Sequence, residues 1–334
     1  MYKEKRPSRS EFVPIRGLNY HVRIWDGRDT NATAASAGPP QARPAPSGGS
    51  EPHAVGNVGV PLVLIHGWMD VAASYQFMVD ALSDAFAAGR TIIAPDWRGF
   101  GLTSTAEGGA KVDNYWFPDY LADLDFLLDH YAPGQAVDLV GHSMGGNVAM
   151  IYSGVRPERI RKLVNLEGFG LPASKPSQAP RRYGKWIDEL KSLQRGEMDL
   201  KAYDDVGGVA RRLMKTNPRL SEDKANWLAS HWARPDAAGK WHILGDPAHK
   251  ITSAMLYRAD EALEIYRHIS APTLAVEASD DSLAKWGQGY TLAEYHDRLK
   301  QVPKAEVAVI QDAGHMLHHD QPEQLASLIE GFLG

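Results

Sequence analysis

A serine, a histidine and a carboxylate at three separated places in this sequence have the residue types needed for nucleophilic acyl transfer. Ser143 lies in "VDLVGHSMGG", where an apolar run ends in Gly141-His142-Ser143-Met144-Gly145, a G-x-S-x-G pentapeptide with a helical pattern directly after it. A strand entering a sharp turn and then a helix strains the backbone at the serine and lifts its hydroxyl clear of the sheet edge. Glycines flank it because side chains there would collide with the neighbouring strand and helix. The helix N-terminus behind it favours negative charge developing on a substrate oxygen. Read alone, the pentapeptide is equally a glycine-rich turn with an incidental serine, so its partners decide.

A serine hydroxyl needs a base to take its proton and an acid to orient that base. "IQDAGHMLHHDQPEQL" places His315 directly after the last expected strand, on the same edge of the sheet as Ser143. Three carboxylates compete for the third position. Asp280 and Asp281, in "APTLAVEASDDSL", follow the penultimate strand, and Glu167 closes "RKLVNLEG" at an adjacent strand end. Either aspartate is placed to accept the Nδ1–H of His315 and stabilise the imidazolium. For the oxyanion, "LIHGWMD" ends an early strand, and the backbone N–H of Trp68 together with that of Met144 could point at one site beside Ser143. His318 and His319 stand near His315, but the chain shows no acidic ligand set or second cluster that reads as a metal site, so none is expected.

These residues must be held by a scaffold, and the chain supplies one. Apolar strand-like runs at 60–67, 91–96, 136–141, 162–168, 272–278 and 306–315 alternate with amphipathic helical patterns at 74–86, 119–131 and 322–333. That alternation marks βαβ units and a parallel sheet. Residues 11–27 alternate apolar and polar around a glycine turn, as a leading β-hairpin does. Residues 28–57 are rich in Ala, Pro, Gly and Ser and read as a flexible surface loop. The alternation stops over about 171–268, which looks helical and holds Tyr183, Trp186, Trp227, Trp232, Trp241 and Tyr257. This reads as an insertion over one face of the sheet, its aromatics either lining a pocket or forming the insertion's own core. The domain reading is therefore a core at 1–170 and 269–334, interrupted by a cap at 171–268.

Composition narrows the function classes. With 334 residues, 43% of them hydrophobic, the chain can bury a large core as one elaborated domain. The formal net charge of −5, with Lys and Arg scattered, gives no footprint for nucleic acid or an anionic membrane. There is no cysteine, hence no disulfide, no thiolate metal site and no cysteine nucleophile. The charged opening "MYKEKRPSRSEFVPIRG" lacks an apolar signal core, and no later run approaches about 18 uninterrupted apolar residues. A cytoplasmic protein, monomer or homodimer, is the expectation.

Taken together, "HGWMD" at 66–70, "PDWRGFGLTS" at 95–104, "GHSMGGNVA" at 141–149, the "PTL" to "DD" stretch at 272–281 and "DAGHMLHHDQPE" at 312–323 resemble a serine hydrolase of the α/β-hydrolase fold. The resemblance covers the chain from about residue 11 onward. It implies a mostly parallel eight-stranded sheet flanked by helices, with a helical cap. It implies Ser143 as nucleophile, His315 as general base and acid, and main-chain donors at Trp68 and Met144. The family's acid usually stands nine residues after the proline that opens its strand, which from Pro272 is Asp281. Ala278 replaces the usual glycine, which keeps Asp280 in play, and relatives that take the acid from the strand after the nucleophile keep Glu167. Asp96 and Arg98 of "DWRGFG" resemble a structural turn. Epoxide hydrolases and haloalkane dehalogenases share the cap and the "HG" turn but use an aspartate nucleophile, and Ser143 speaks against both.

The function expected from this site is hydrolysis of a carboxylic ester of a small or medium-sized molecule through an acyl-enzyme on Ser143, with neither cofactor nor metal. A carbon–carbon hydrolase of ring-cleavage products uses the same triad, and a cap cation such as Arg181, Arg182 or Lys185 anchoring a substrate carboxylate would favour it. A low-turnover ligand sensor on the same fold is the non-enzymatic alternative.

Overall fold

The structure is a computed structural model, and it describes residues 2–27, 59–105, 112–287 and 289–334. The Ala/Pro/Gly-rich stretch expected as a loop at 28–57 lies outside the described residues. Among the described residues there are twelve strands: β1 (Arg9–Ile15), β2 (Leu18–Trp25), β3 (Leu62–Ile65), β4 (Ile92–Pro95), β5 (Ser104–Thr105), β6 (Val137–His142), β7 (Ile160–Leu166), β8 (Ala202–Tyr203), β9 (Ala233–Pro235), β10 (Trp241–Ile243), β11 (Thr273–Ala278) and β12 (Ala305–Ile310).

The main sheet runs β1-β2-β4-β3-β6-β7-β11-β12, eight strands, with the two-residue β5 added against β2 as a ninth. From β4 to β12 every neighbouring pair is parallel, whereas β1, β2 and β5 pair antiparallel at the other edge. The central strands β3, β4, β6 and β11 are buried at every residue, which is why they read as unbroken apolar runs. Two apolar layers cover the sheet. One joins Val63, Ile65, Leu139 and Leu163 to the helices Phe117–Tyr131 and Met144–Val155; the other joins Leu64, Val140 and Val276 to Met78, Leu325 and Ile329 of the helices Gln76–Ala81 and Pro322–Leu333. Each such fully buried aliphatic side chain contributes about 1.5–3 kcal/mol of transfer free energy.

Asp138, buried within β6, is held by Arg90 and by a two-point contact with Arg161 at the end of the strand away from Ser143. Asp96 accepts from the backbone N–H of Ala72 and Leu102 and lies 2.7 Å from His21 Nδ1, while Arg98 grips Asp123 at 2.5 and 2.7 Å. The "DWRGFG" stretch thus ties the β4 turn to β2 and to the helix after it.

The expected helix at 74–86 is broken. A 3₁₀ turn at Ala72–Tyr75 leads into Gln76–Ala81, the backbone leaves the helical region at Leu82, and Ser83 caps a new short helix, Asp84–Ala88. The insertion is not purely helical either. Its helices Ala179–Gln194, Val206–Thr216 and Glu222–Trp232 are accompanied by a small sheet in the order β8-β10-β9, whose strands of two or three residues are too short to leave a pattern in the sequence. The helix Ala259–Arg267 packs on Met144–Val155.

Candidate active site

The C-terminal end of β6 carries the turn that lifts Ser143 clear of the sheet. Ser143 has φ 52° and ψ −114°, a conformation that L-residues rarely adopt and that the surrounding packing must impose. Its N–H donates to Leu166 O at 2.8 Å and its carbonyl accepts from Asn147 N at 3.0 Å, so β7 and the helix Met144–Val155 fix it from both sides. Gly145 is required by close approach: a Cβ there would stand 2.2 Å from Ile65 O at the end of β3.

Ser143 Oγ lies 2.9 Å from His315 Nε2, within donating distance. His315 Nδ1 lies 3.1 Å from Glu167 Oε2. The serine and histidine come from β6 and from the loop after β12, and the structure brings them together in the geometry nucleophilic catalysis needs. Glu167 is nearly inaccessible to solvent, follows β7 with φ 55°, and its other oxygen accepts the N–H of Ala278 at 2.7 Å. The end of β11 therefore supplies a backbone donor that aims the carboxylate of β7.

The acid expected at Asp281 is engaged elsewhere. Its Oδ1 accepts from Ala284 N at 2.8 Å and caps the short helix Ser282–Trp286, out on the surface. The alternative Asp280 is paired with Arg219 at 2.8 Å and with Lys285 at 2.7 Å, and these hydrogen bonds pull its carboxyl down to about 2. Counting from Pro272 finds the right strand end, but the chain turns into a helix there, and an aspartate at an N-cap bonds its own backbone. Asp281→Ala is expected to cost about 1 kcal/mol of stability in urea unfolding, the usual worth of an N-cap, and to leave turnover within about threefold.

The turn after β3 sits against the elbow: a Cβ on Gly67 would be 3.1 Å from Ser143 Cβ. Met144 opens its helix, so its N–H has no partner within that helix. His66 Nε2 accepts from Trp97 N at 2.9 Å, and the Trp68 indole donates to His249 O of the insertion at 3.3 Å, so core and cap both hold the turn. The His249 ring is stacked between Phe100 and Tyr115, with centroids 3.8 Å from each.

The aromatics of the insertion divide. Trp227, Trp232 and Trp241 join an apolar cluster with Val71 and Phe77 that fastens the cap to the core, and Trp186 packs beside Leu193, Ala248 and Ile251. Tyr183 is exposed, and the Tyr257 hydroxyl lies over Gly170. A small cavity lined by Gly170, Leu171, Pro172, Leu283, Trp286 and Tyr290 reaches neither Ser143 nor His315 themselves, but its Trp286 ring meets His315 edge-on at 5.1 Å. Sequence reading passed over Trp286; its place just past the penultimate strand was the available signal. Among the described residues, one group has donors close enough to hold a metal ion: Asp70, His142 and His318. No described helix is long and apolar enough to cross a membrane.

Comparison with known proteins agrees with this architecture. The family model described as alpha/beta hydrolase fold matches residues 60–322. A serine hydrolase-like protein of Danio rerio is 25% identical over 289 residues, covering 82% of each chain. The 2-hydroxymuconate semialdehyde hydrolase of Pseudomonas sp. strain CF600 is 26% identical over 280 residues, covering 82% of this chain and 87% of its own. Among solved structures, the thioesterase domain from the curacin biosynthetic pathway superposes with a TM-score of 0.72 at 24% identity, covering 97% of this chain and all of its own, a likeness of fold. The chain belongs to the α/β-hydrolase fold family.

Proposed function

We propose that the protein is a serine hydrolase that cleaves a carboxylic ester of a small or medium-sized substrate through an acyl-enzyme on Ser143. The observation that carries this reading is the continuous hydrogen-bonded line from Ser143 Oγ to His315 Nε2 and from His315 Nδ1 to Glu167 Oε2. In the proposed mechanism His315 takes the serine proton as the hydroxyl attacks the ester carbonyl, and Glu167 holds the tautomer and stabilises the imidazolium. The backbone N–H groups of Trp68 and Met144 receive the oxyanion. The imidazolium then protonates the leaving alkoxide, and a water activated by the same ring releases the acid.

Carbon–carbon hydrolysis is the second reading, favoured by the similarity to 2-hydroxymuconate semialdehyde hydrolase. It calls for a cation to anchor a substrate carboxylate. Arg182 is spent on Ser253 O and Lys185 stands 3.5 Å from Glu189, which leaves Arg181 of the three. Initial rates on nitrophenyl acetate and on a ring-cleavage dienoate separate the readings. Saturable ester turnover, lost on Ser143→Ala, with the dienoate at least about tenfold poorer in kcat/KM, is expected. Preference for the dienoate replaces the ester reading, and ester turnover that survives Ser143→Ala overturns the serine mechanism.

A further inference from the structure

Directly behind the serine–histidine pair, three segments bury a set of polar atoms that the proposed hydrolysis does not use. Asp70, on the turn after β3, is 4% exposed; His142, the residue before Ser143, is 2% exposed; and His318, one turn beyond His315, is fully buried. Among the described residues, Asp70 Oδ2, His142 Nδ1 and both ring nitrogens of His318 have no hydrogen-bond partner. Groups of this kind are costly in a protein interior unless something satisfies them.

The protonation pattern can be read from the neighbours. His142 Nε2 stands 2.7 Å from the carbonyl of His315, which can only accept, so Nε2 carries the hydrogen and Nδ1 offers a lone pair. A Cβ on Gly67 would be 3.1 Å from that Nδ1, so the lone pair faces the turn that bears Asp70. Asp70 Oδ1 is already occupied by Ser74 Oγ and by the Trp232 indole at 3.0 Å, which aims Oδ2 inward. His318 Nε2 lies 3.9 Å from Asp70 Oδ2, too far for a hydrogen bond, and one donor atom from each of the three residues lies within 4.8 Å of the others.

We propose that Asp70, His142 and His318 bind a divalent transition-metal ion of the Zn²⁺ class. Two imidazoles and a carboxylate suit such an ion, and shifts of about an ångström per side chain bring the donors to the ~2.0–2.2 Å that zinc requires. The fourth position falls to water. A water molecule alone would bridge the same atoms but leave the Asp70 carboxylate buried without a positive charge; no Lys or Arg forms an ion pair with it among the described residues. Protonating His318 would set an imidazolium 3.9 Å from Asp70 Oδ2 but leave its buried Nδ1–H without an acceptor. The ion would pin together the β3 turn, the elbow and the His315 loop.

The test is metal content and coordination. Protein purified in Zn²⁺ and then desalted is expected to retain about one Zn²⁺ per chain by mass spectrometry, with a thermal midpoint several degrees above that of the chelator-treated protein. Asp70→Asn and His318→Gln, checked for folding by circular dichroism, are expected to retain at least tenfold less and to show no Zn²⁺-dependent shift. X-ray absorption on the wild-type protein gives a reading independent of whether the variants fold, and is expected to show two imidazoles in the zinc shell. Desalted wild type without zinc, folded variants that keep their zinc, or a shell without imidazole would overturn the proposal and leave water as the occupant.

Discussion

Replacing Glu167 by Gln is expected to lower kcat/KM for an ester substrate by about 10³–10⁴ with little change in stability, while Asp281→Asn stays within about threefold of wild type. The reason lies in the two faces of His315. Its Nδ1–H needs an anionic acceptor, and the Glu167 carboxylate stands 3.1 Å away, steadied by Ala278 N. An amide of the same shape cannot stabilise the imidazolium, and it can present its NH₂ to Nδ1 and favour the wrong tautomer; losses of about 10⁴ follow such changes in serine triads. Asp281 has no such duty, because its carboxylate is bonded to Ala284 N. The pair of variants is informative because the two carboxylates sit at neighbouring strand ends, and family pattern counting favours the other one. Equal losses in both variants, or a large loss in Asp281→Asn alone, contradict the assignment.

The second large effect is on acid stability. Two histidines at the seam between cap and core are held neutral. His231 is pulled down to about 3, first by burial and then by the charge of Arg23, whose guanidinium donates to its Nδ1 at 3.0 Å. His249 is also pulled down to about 3, chiefly by burial between Phe100 and Tyr115. In the unfolded chain both titrate near 6.5. Their folded values are depressed, so between about pH 6.5 and 3 the unfolded state binds protons that the folded state refuses, and stability falls as pH falls through that window. Allowing for partial exposure, the two together are expected to remove roughly 3 kcal/mol between pH 7 and pH 5. His66, His142, His318 and His319 are also held down by burial and add losses of the same sign, so urea unfolding at the two pH values is compared between wild type and the His231→Asn/His249→Asn variant, whose loss is expected to be smaller by that amount. Because both histidines bridge cap and core, tryptophan fluorescence from the cap is expected to change before the far-ultraviolet signal of the sheet. An equal loss of stability between pH 7 and pH 5 in wild type and double variant contradicts this account of the seam.

Much of the scaffold is legible because parallel strands buried on both faces can only be apolar. "PLVLI", "TIIAP" and "TLAVEA" announce β3, β4 and β11 for that reason, and a serine between glycines at the end of β6 has few other physical explanations. The acid was harder to read. Which carboxylate faces His315 depends on how β7 and β11 end relative to each other: Glu167 turns inward at a strained φ of 55°, while Asp281 is captured by the helix it starts. Both are acidic residues at strand ends, and one sequence does not distinguish the two turns. The strands β8, β9 and β10 are too short to have a period, so the cap read as helical throughout. The cluster of Asp70, His142 and His318 was invisible for another reason: its members are dispersed along the chain, and only the packing of three segments, the turn after β3, the end of β6 and the turn beyond His315, brings the carboxylate to the histidines.

The most direct test of the central claim is covalent labelling with a fluorophosphonate followed by peptide mapping. The account predicts one adduct per chain, on the peptide bearing Ser143, formed rapidly in the wild type, far more slowly in Glu167→Gln and at background level in His315→Ala. An adduct on any other residue, or full labelling of Ser143 without His315, would contradict it.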